Sequence, residues 1–180
     1  LSCDVYFYKI GGGFKEEGVS GLGIWRMQDY AEALGYGQLT GIELPGEEVG
    51  LVPDPTWKRI TVGENWSTGD TYIASMGQGY VLATPLQVLI SFAVLANDGK
   101  YMQPTVVREI INPEGSTKKP FQPVLKWDIT KDALINVYDE NSIPTGEMKT
   151  VEPWVIELAK AGMREVVVDG TATDTFQGMT

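Results

Sequence analysis

The 180-residue sequence predicts an α+β chain, mainly helical with one β-hairpin. Three observations carry that reading. Thr84-Pro85-Leu86-Gln87 is a complete helix start and opens an apolar stretch that closes at Asn97-Asp98-Gly99. Residues 22–34 place apolar side chains at helical period. Beyond residue 104 the pattern changes to β-branched runs separated by a turn-rich insert.

Taken in order, residues 2–10 are polar first and then strongly apolar, which predicts a loop entering a buried helix that Gly11-Gly12-Gly13 breaks. In the helix over residues 22–34, Met27, Tyr30, Ala31 and Leu34 share a face, and Gly35 is the stop. Thr40-Gly41-Ile42-Glu43-Leu44-Pro45-Gly46-Glu47 is a turn-rich connection that extends through Pro53 and Pro55. Trp57 and Trp66 follow in loop-like sequence as packing anchors. A short apolar helical turn then runs into the loop Gly77-Gln78-Gly79. In the helix over residues 85–96, Thr84 caps, Pro85 suits the first position and Gln87 completes a capping box. Leu89, Phe92, Ala93 and Ala96 form its expected apolar face. Residues 105–111 and 123–127 are the two arms of the hairpin, and residues 132–150 are weakly patterned. Pro153 starts a last helix to about residue 167, expected to bury Val155, Leu158, Ala159 and Met163, before Asp169-Gly170-Thr171 turns the chain outward.

Composition bounds the function. Fourteen basic against 24 acidic residues give a net charge of −10, a surface that repels phosphate backbones and so argues against nucleic acid as a partner. The hydrophobic fraction of 43% fits a globular protein. There is no histidine and a single cysteine, Cys3, expected to be a small buried apolar residue. His-based triads and intrachain disulfides are therefore excluded, and acid–base chemistry falls to carboxylates, lysine or tyrosine. No apolar run approaches the ~18–20 residues that span a bilayer. The chain lacks an initiator Met and reads as a fragment of one domain.

Few residues can carry chemistry. In Ser2-Cys3-Asp4 the hydroxyl and the carboxylate, two apart in a short loop, can point the same way. Alone, such a pair is more often an N-cap or a turn. The literal Ser-x-x-Lys at Ser116-Thr117-Lys118-Lys119 fails as a nucleophile motif. Activation needs both side chains on one helical turn, and Ser116 lies between Gly115 and Pro120 in a predicted hairpin tip. Gln78 is read as structural, bonding backbone to fix a tight loop. Lys58, Arg59 and Arg164 are read as surface or packing charges.

Order along the chain adds what single motifs lack. Ser-x-Asp, an aromatic helix, Thr-Gly-Ile-Glu-Leu-Pro-Gly-Glu, Ser75-Met76-Gly77-Gln78-Gly79 and Thr-Pro-Leu-Gln follow one another, with Ala161-Gly162-Met163-Arg164 and Gly170-Thr171-Ala172 later. This succession resembles class B penicillin-binding proteins, and Asp4 resembles their elongation-type, penicillin-binding protein 2-like subgroup. The resemblance implies a partial transpeptidase domain over residues 1–180. The segment would run from the Ser-x-Asp motif to just before the Lys-Thr-Gly motif, within an α/β fold like that of serine β-lactamases. Of the family's three motifs only the middle one is present: no Lys-[Ser/Thr]-Gly occurs, and no usable Ser-x-x-Lys.

By resemblance, Ser2 shuttles a proton between the family's lysine and the leaving amine, while Asp4 accepts from the substrate amide and positions that lysine. The implied parent is a peptidoglycan D,D-transpeptidase that attacks the D-Ala-D-Ala end of a stem peptide through an acyl-serine intermediate. It is trapped by β-lactams, needs no cofactor, and works beside a membrane glycan polymerase on the extracytoplasmic face of the bacterial membrane, held by an N-terminal helix. The isolated chain is expected to be inactive and to leave an apolar face uncovered, open to self-association. The alternative is a non-catalytic module that binds peptidoglycan or a protein partner.

Overall fold

The computed structural model describes residues 3–176 and residue 178. Among the described residues, six α-helices and six short strands make a mixed α+β chain. Helix α1 (Asp4–Gly12) follows Cys3, and α2 (Gly23–Ala33) ends before Gly35 as expected. Helix α3 (Pro55–Thr61) was missed in the sequence, where Trp57 was assigned to a loop. Its start is nevertheless well specified: the Asp54 carboxylate accepts from the backbone N–H of Thr56 (2.6 Å) and Trp57 (2.9 Å), and Pro55 takes the first position. Helix α4 (Thr68–Ser75) opens with a capping box between Ser67 and Asp70. Helix α5 (Pro85–Ala96) opens with the predicted box between Thr84 and Gln87.

The expected single hairpin is three antiparallel two-stranded ladders. Strand β1 (Lys100–Met102) pairs with β4 (Leu125–Asp128), β2 (Glu109–Ile111) with β3 (Thr117–Pro120), and β5 (Ile135–Tyr138) with β6 (Pro144–Lys149). The first two nest one beyond the other, so the inner arm starts at Lys100 rather than at residue 105. Ser116 closes the tip, its N–H bonded to Asn112 Oδ1 (2.9 Å), while Lys119 pairs with Ile110. They share no helical turn. The β5–β6 ladder has little apolar pattern because side chains of α2 hold it. Asp29 accepts from Asn136 N (3.1 Å), Asn136 Nδ2 (2.9 Å) and the Tyr138 hydroxyl (2.9 Å), and Arg26 donates to Ser142 Oγ (3.0 Å) and Asp139 O (3.2 Å). Helix α6 (Pro153–Val168) completes the fold. No helix among the described residues is long and apolar enough to cross a membrane.

The core gathers Ala33, Ile90, Val94, Tyr101, Ile129, Ile135, Val151 and Ile156. Several faces differ from expectation. α5 turns Gln87, Ile90, Ser91 and Val94 inward and leaves Leu89 and Phe92 exposed. That helix is apolar nearly all round, so the buried stripe, which contains two polar residues, carried no contrast. In α6, Ile156 is buried and Val155 packs on the core, whereas Leu158 is exposed. Cys3 is exposed, not buried. α1 is not a buried helix either: Val5, Tyr6, Phe7 and Ile10 face outward, and only Gly11 is fully covered.

Tyr101 is completely buried, and its hydroxyl has no hydrogen-bond partner among the described residues. Burial, with the Glu47 charge adding to it, pushes the phenol up to about 12. Its folded pKa lies above its ordinary value of 10.0. The fold's preference for the neutral phenol is therefore fully present below pH ~10 and is lost as pH rises toward ~12. Tyr101→Phe removes an unsatisfied group without opening a cavity, so urea unfolding at pH 7 should show a gain of about 1 kcal/mol, with a shallower alkaline limb. A loss above about 1 kcal/mol would reveal a partner for that hydroxyl.

Candidate functional site

Asp4 is the first residue of α1, where a carboxylate complements the helix dipole, and it is exposed. Ser2 lies outside the described residues. What the structure defines best is how α1 is held. Two glycines let the α1 backbone pack directly on side chains of α4. A Cβ on Gly11 would stand 2.3 Å from Ser75 Cβ, and one on Gly12 would stand 2.1 Å from Tyr72 Cε1. The Tyr72 hydroxyl donates to Gly13 O (3.1 Å), and the Tyr8 and Tyr72 rings lie 5.6 Å apart. Leu22 N–H donates to Ile10 O (2.8 Å), tying in the start of α2.

Gly11 meets Ser75, near the end of α4, while Gly12 and Gly13 line a cavity with Thr68, at its start. The Tyr8–Tyr72 and Gly11–Ser75 contacts spread the seam between α1 and α4 along both helices. Asp4 stands seven residues, about 10 Å of helix rise, from the Gly11 contact. Among the described residues no side chain bonds the Asp4 carboxylate, which is carried on the end of α1.

The glycine loop is tight. Gly77 N–H donates to Ala74 O (2.9 Å) and Gln78 N–H to Ile73 O (3.1 Å). Gly77 and Gly79 sit at φ +74° and +73°, where a side chain is strained, and a Cβ on Gly79 would lie 2.9 Å from Ile73 Cγ2. Gln78 contributes through its main chain. Its side chain is exposed, beside a cavity of about 240 Å³ lined also by Trp66, Asp70, Ile73 and Tyr80.

Lys58, read from the sequence with the surface and packing charges, is 5% exposed and packs inside. Its ammonium donates to both Asp70 oxygens (3.0 and 2.9 Å) and lies 3.4 Å from Glu64. Arg59 and Arg164 are exposed. The hydrogen bond to Asp70 outweighs burial and, with Glu64, raises the Lys58 pKa above its ordinary 10.5. Burial alone would raise the Asp70 carboxyl, but hydrogen bonds from Lys58 and Ser67 and the ammonium charge prevail and hold it below its ordinary 3.8. The stabilisation is thus fully present between pH ~4 and ~10.5. It is lost as pH falls through the lowered carboxyl value or rises through the raised ammonium value.

The mixed α+β frame matches penicillin-binding proteins in three dimensions. The chain overlays penicillin-binding protein 2 of Helicobacter pylori, solved in complex with MreC, with a TM-score of 0.65. Sequence identity is 30%, with coverage of 97% of this chain and 26% of that one. Against penicillin-binding protein 2 of Pseudomonas aeruginosa, in complex with WCK 5153, the TM-score is 0.66 and identity 28%, over 98% and 33% of the two chains. The peptidoglycan D,D-transpeptidase MrdA of Haemophilus influenzae is 32% identical over 177 residues, 97% of this chain and 23% of that protein. The chain belongs to the penicillin-binding protein transpeptidase domain family, whose pattern matches residues 1–180. It spans about a quarter of the length of such relatives.

Proposed function

We propose that this chain is the middle segment of a peptidoglycan D,D-transpeptidase, running from the Ser-x-Asp motif to just before the Lys-Thr-Gly motif. The observation that carries the reading is the family match over residues 1–180 in a chain whose Asp4 stands exposed at the start of a docked helix. The acyl-accepting serine and its lysine belong to the rest of the enzyme. Ser2 relays the proton between that lysine and the leaving amine of a D-Ala-D-Ala stem peptide. Asp4 accepts from the substrate amide N–H and holds the ammonium, to which a carboxylate binds more firmly than an amide would. β-Lactams acylate the same serine. The exposed Leu89, Phe92, Trp154 and Leu158 lie against the remaining strands of the domain, or against a second copy when the chain is isolated.

The relatives suggest the setting. A penicillin-binding protein 2 has been solved with MreC, and a further relative of this fold is described as part of a peptidoglycan synthase complex that coordinates polymerization and crosslinking. We place the whole enzyme on the extracytoplasmic face of the membrane, beside a glycan polymerase. The test is labelling by a fluorescent penicillin. The full-length protein should form a covalent adduct, the 180-residue chain none, and Asp4→Ala should slow acylation by about a hundredfold. A full-length protein that takes no label, while still binding peptidoglycan, would instead favour the non-catalytic module.

A further inference from the structure

We infer that Lys58 is a positioning residue for the acyl-transfer site, acting through the unit formed by α4 and its glycine loop; this rests on the transpeptidase reading above. The ammonium faces both ends of that unit. At the start it grips Asp70, the residue that closes the α4 capping box through bonds from Ser67 N (2.7 Å) and Ser67 Oγ (2.7 Å). At the end it stands 5.9 Å from the ring centroid of Tyr80, the residue after Gly79, against which Trp57 packs at 5.1 Å. α3 thus brackets residues 70–80 from outside, and the same α4 carries the Gly11 and Gly12 contacts that aim α1 and Asp4.

The chemistry of the pair supports a positional role. Removing an ammonium and a carboxylate from water is costly, and an apolar pair of similar volume is often equally stable. A bidentate ion pair differs from an apolar contact in fixing one register between two helices. Here the register sets where the glycine loop lies and, through α4, where Asp4 lies. Displacement of a catalytic group by about 1 Å can lower a rate by roughly a hundredfold.

The experiment uses the full-length enzyme and a fluorescent penicillin, reading the acylation rate constant, the affinity before acylation and the thermal midpoint. Lys58→Met is compared with the double variant Lys58→Met/Asp70→Asn, which removes both charges, leaves no lone buried charge and keeps an oxygen for the Ser67 bonds of the capping box. The double variant should keep its thermal midpoint within a few degrees, yet acylate roughly ten- to a hundredfold more slowly, with the loss in the rate constant rather than in affinity. Acylation by the double variant at the wild-type rate would overturn the inference, whether or not Lys58→Met folds. An unlabelled wild-type enzyme would overturn the transpeptidase reading itself, a result distinct from a labelled wild type with an equally fast variant.

Discussion

Replacing Gln87 by alanine is expected to destabilise the chain by about 3–5 kcal/mol, a large share of the stability of an ordinary domain. Gln87 is fully buried on α5 and uses its whole amide. Its Nε2 donates to Gln38 O and Val49 O, both at 2.9 Å, and its Oε1 accepts from Thr84 N at 3.0 Å. One side chain therefore caps its own helix and pins the turn-rich connection between Gln38 and Val49 to the core. Alanine leaves two carbonyls and one N–H without that partner and opens a cavity, and the terms add. Gln87→Glu should be as damaging, because a buried carboxylate would face two carbonyl oxygens and donate to neither. Urea unfolding at pH 7 checks both. A loss below about 1 kcal/mol for the alanine variant would mean the connection is held by something else.

Gly12→Ala is expected to release α1. The added Cβ would lie 2.1 and 2.3 Å from Cε1 and Cδ1 of Tyr72. That ring cannot swing aside freely, since its hydroxyl is bonded to Gly13 O and its face packs near Tyr8. Overpacking of this kind costs about 1–3 kcal/mol, and it falls on one interface only. Hydrogen exchange in α1 should accelerate while α5 stays protected. In the full enzyme, penicillin acylation should fall by roughly a hundredfold as Asp4 shifts. Gly162→Ala is the control: it sits inside α6 with open space at its Cβ, so it should be neutral or stabilising by up to about 1 kcal/mol. Equal acylation by wild type and Gly12→Ala would break the link between α1 docking and the site.

What the sequence made legible follows from where the determinants lie. The Thr84–Gln87 box is local, and the structure has the bonds that its four letters imply. The α2 stop at Gly35 and the Gly77–Gly79 loop are likewise local backbone matters. The β5–β6 ladder was not legible because Arg26 and Asp29 hold it from more than a hundred residues away. The inward face of α5 was misread because its most important core residue is a glutamine. For the site, the motif order supplied the family, but no pattern within Ser2-Cys3-Asp4 announces that two glycines seven and eight residues after Asp4 aim it. Lys58 has a signal in hindsight: a lysine four residues after a helix cap, with an acidic N3 residue on the next helix.

The most direct test is a crystal structure of the full-length protein acylated by a penicillin. α1 should lie docked on α4 as here, with the Asp4 carboxylate within about 3.2 Å of the adduct's amide nitrogen or of the active-site lysine. An acyl adduct formed with Asp4 more than about 6 Å from both groups would contradict that placement.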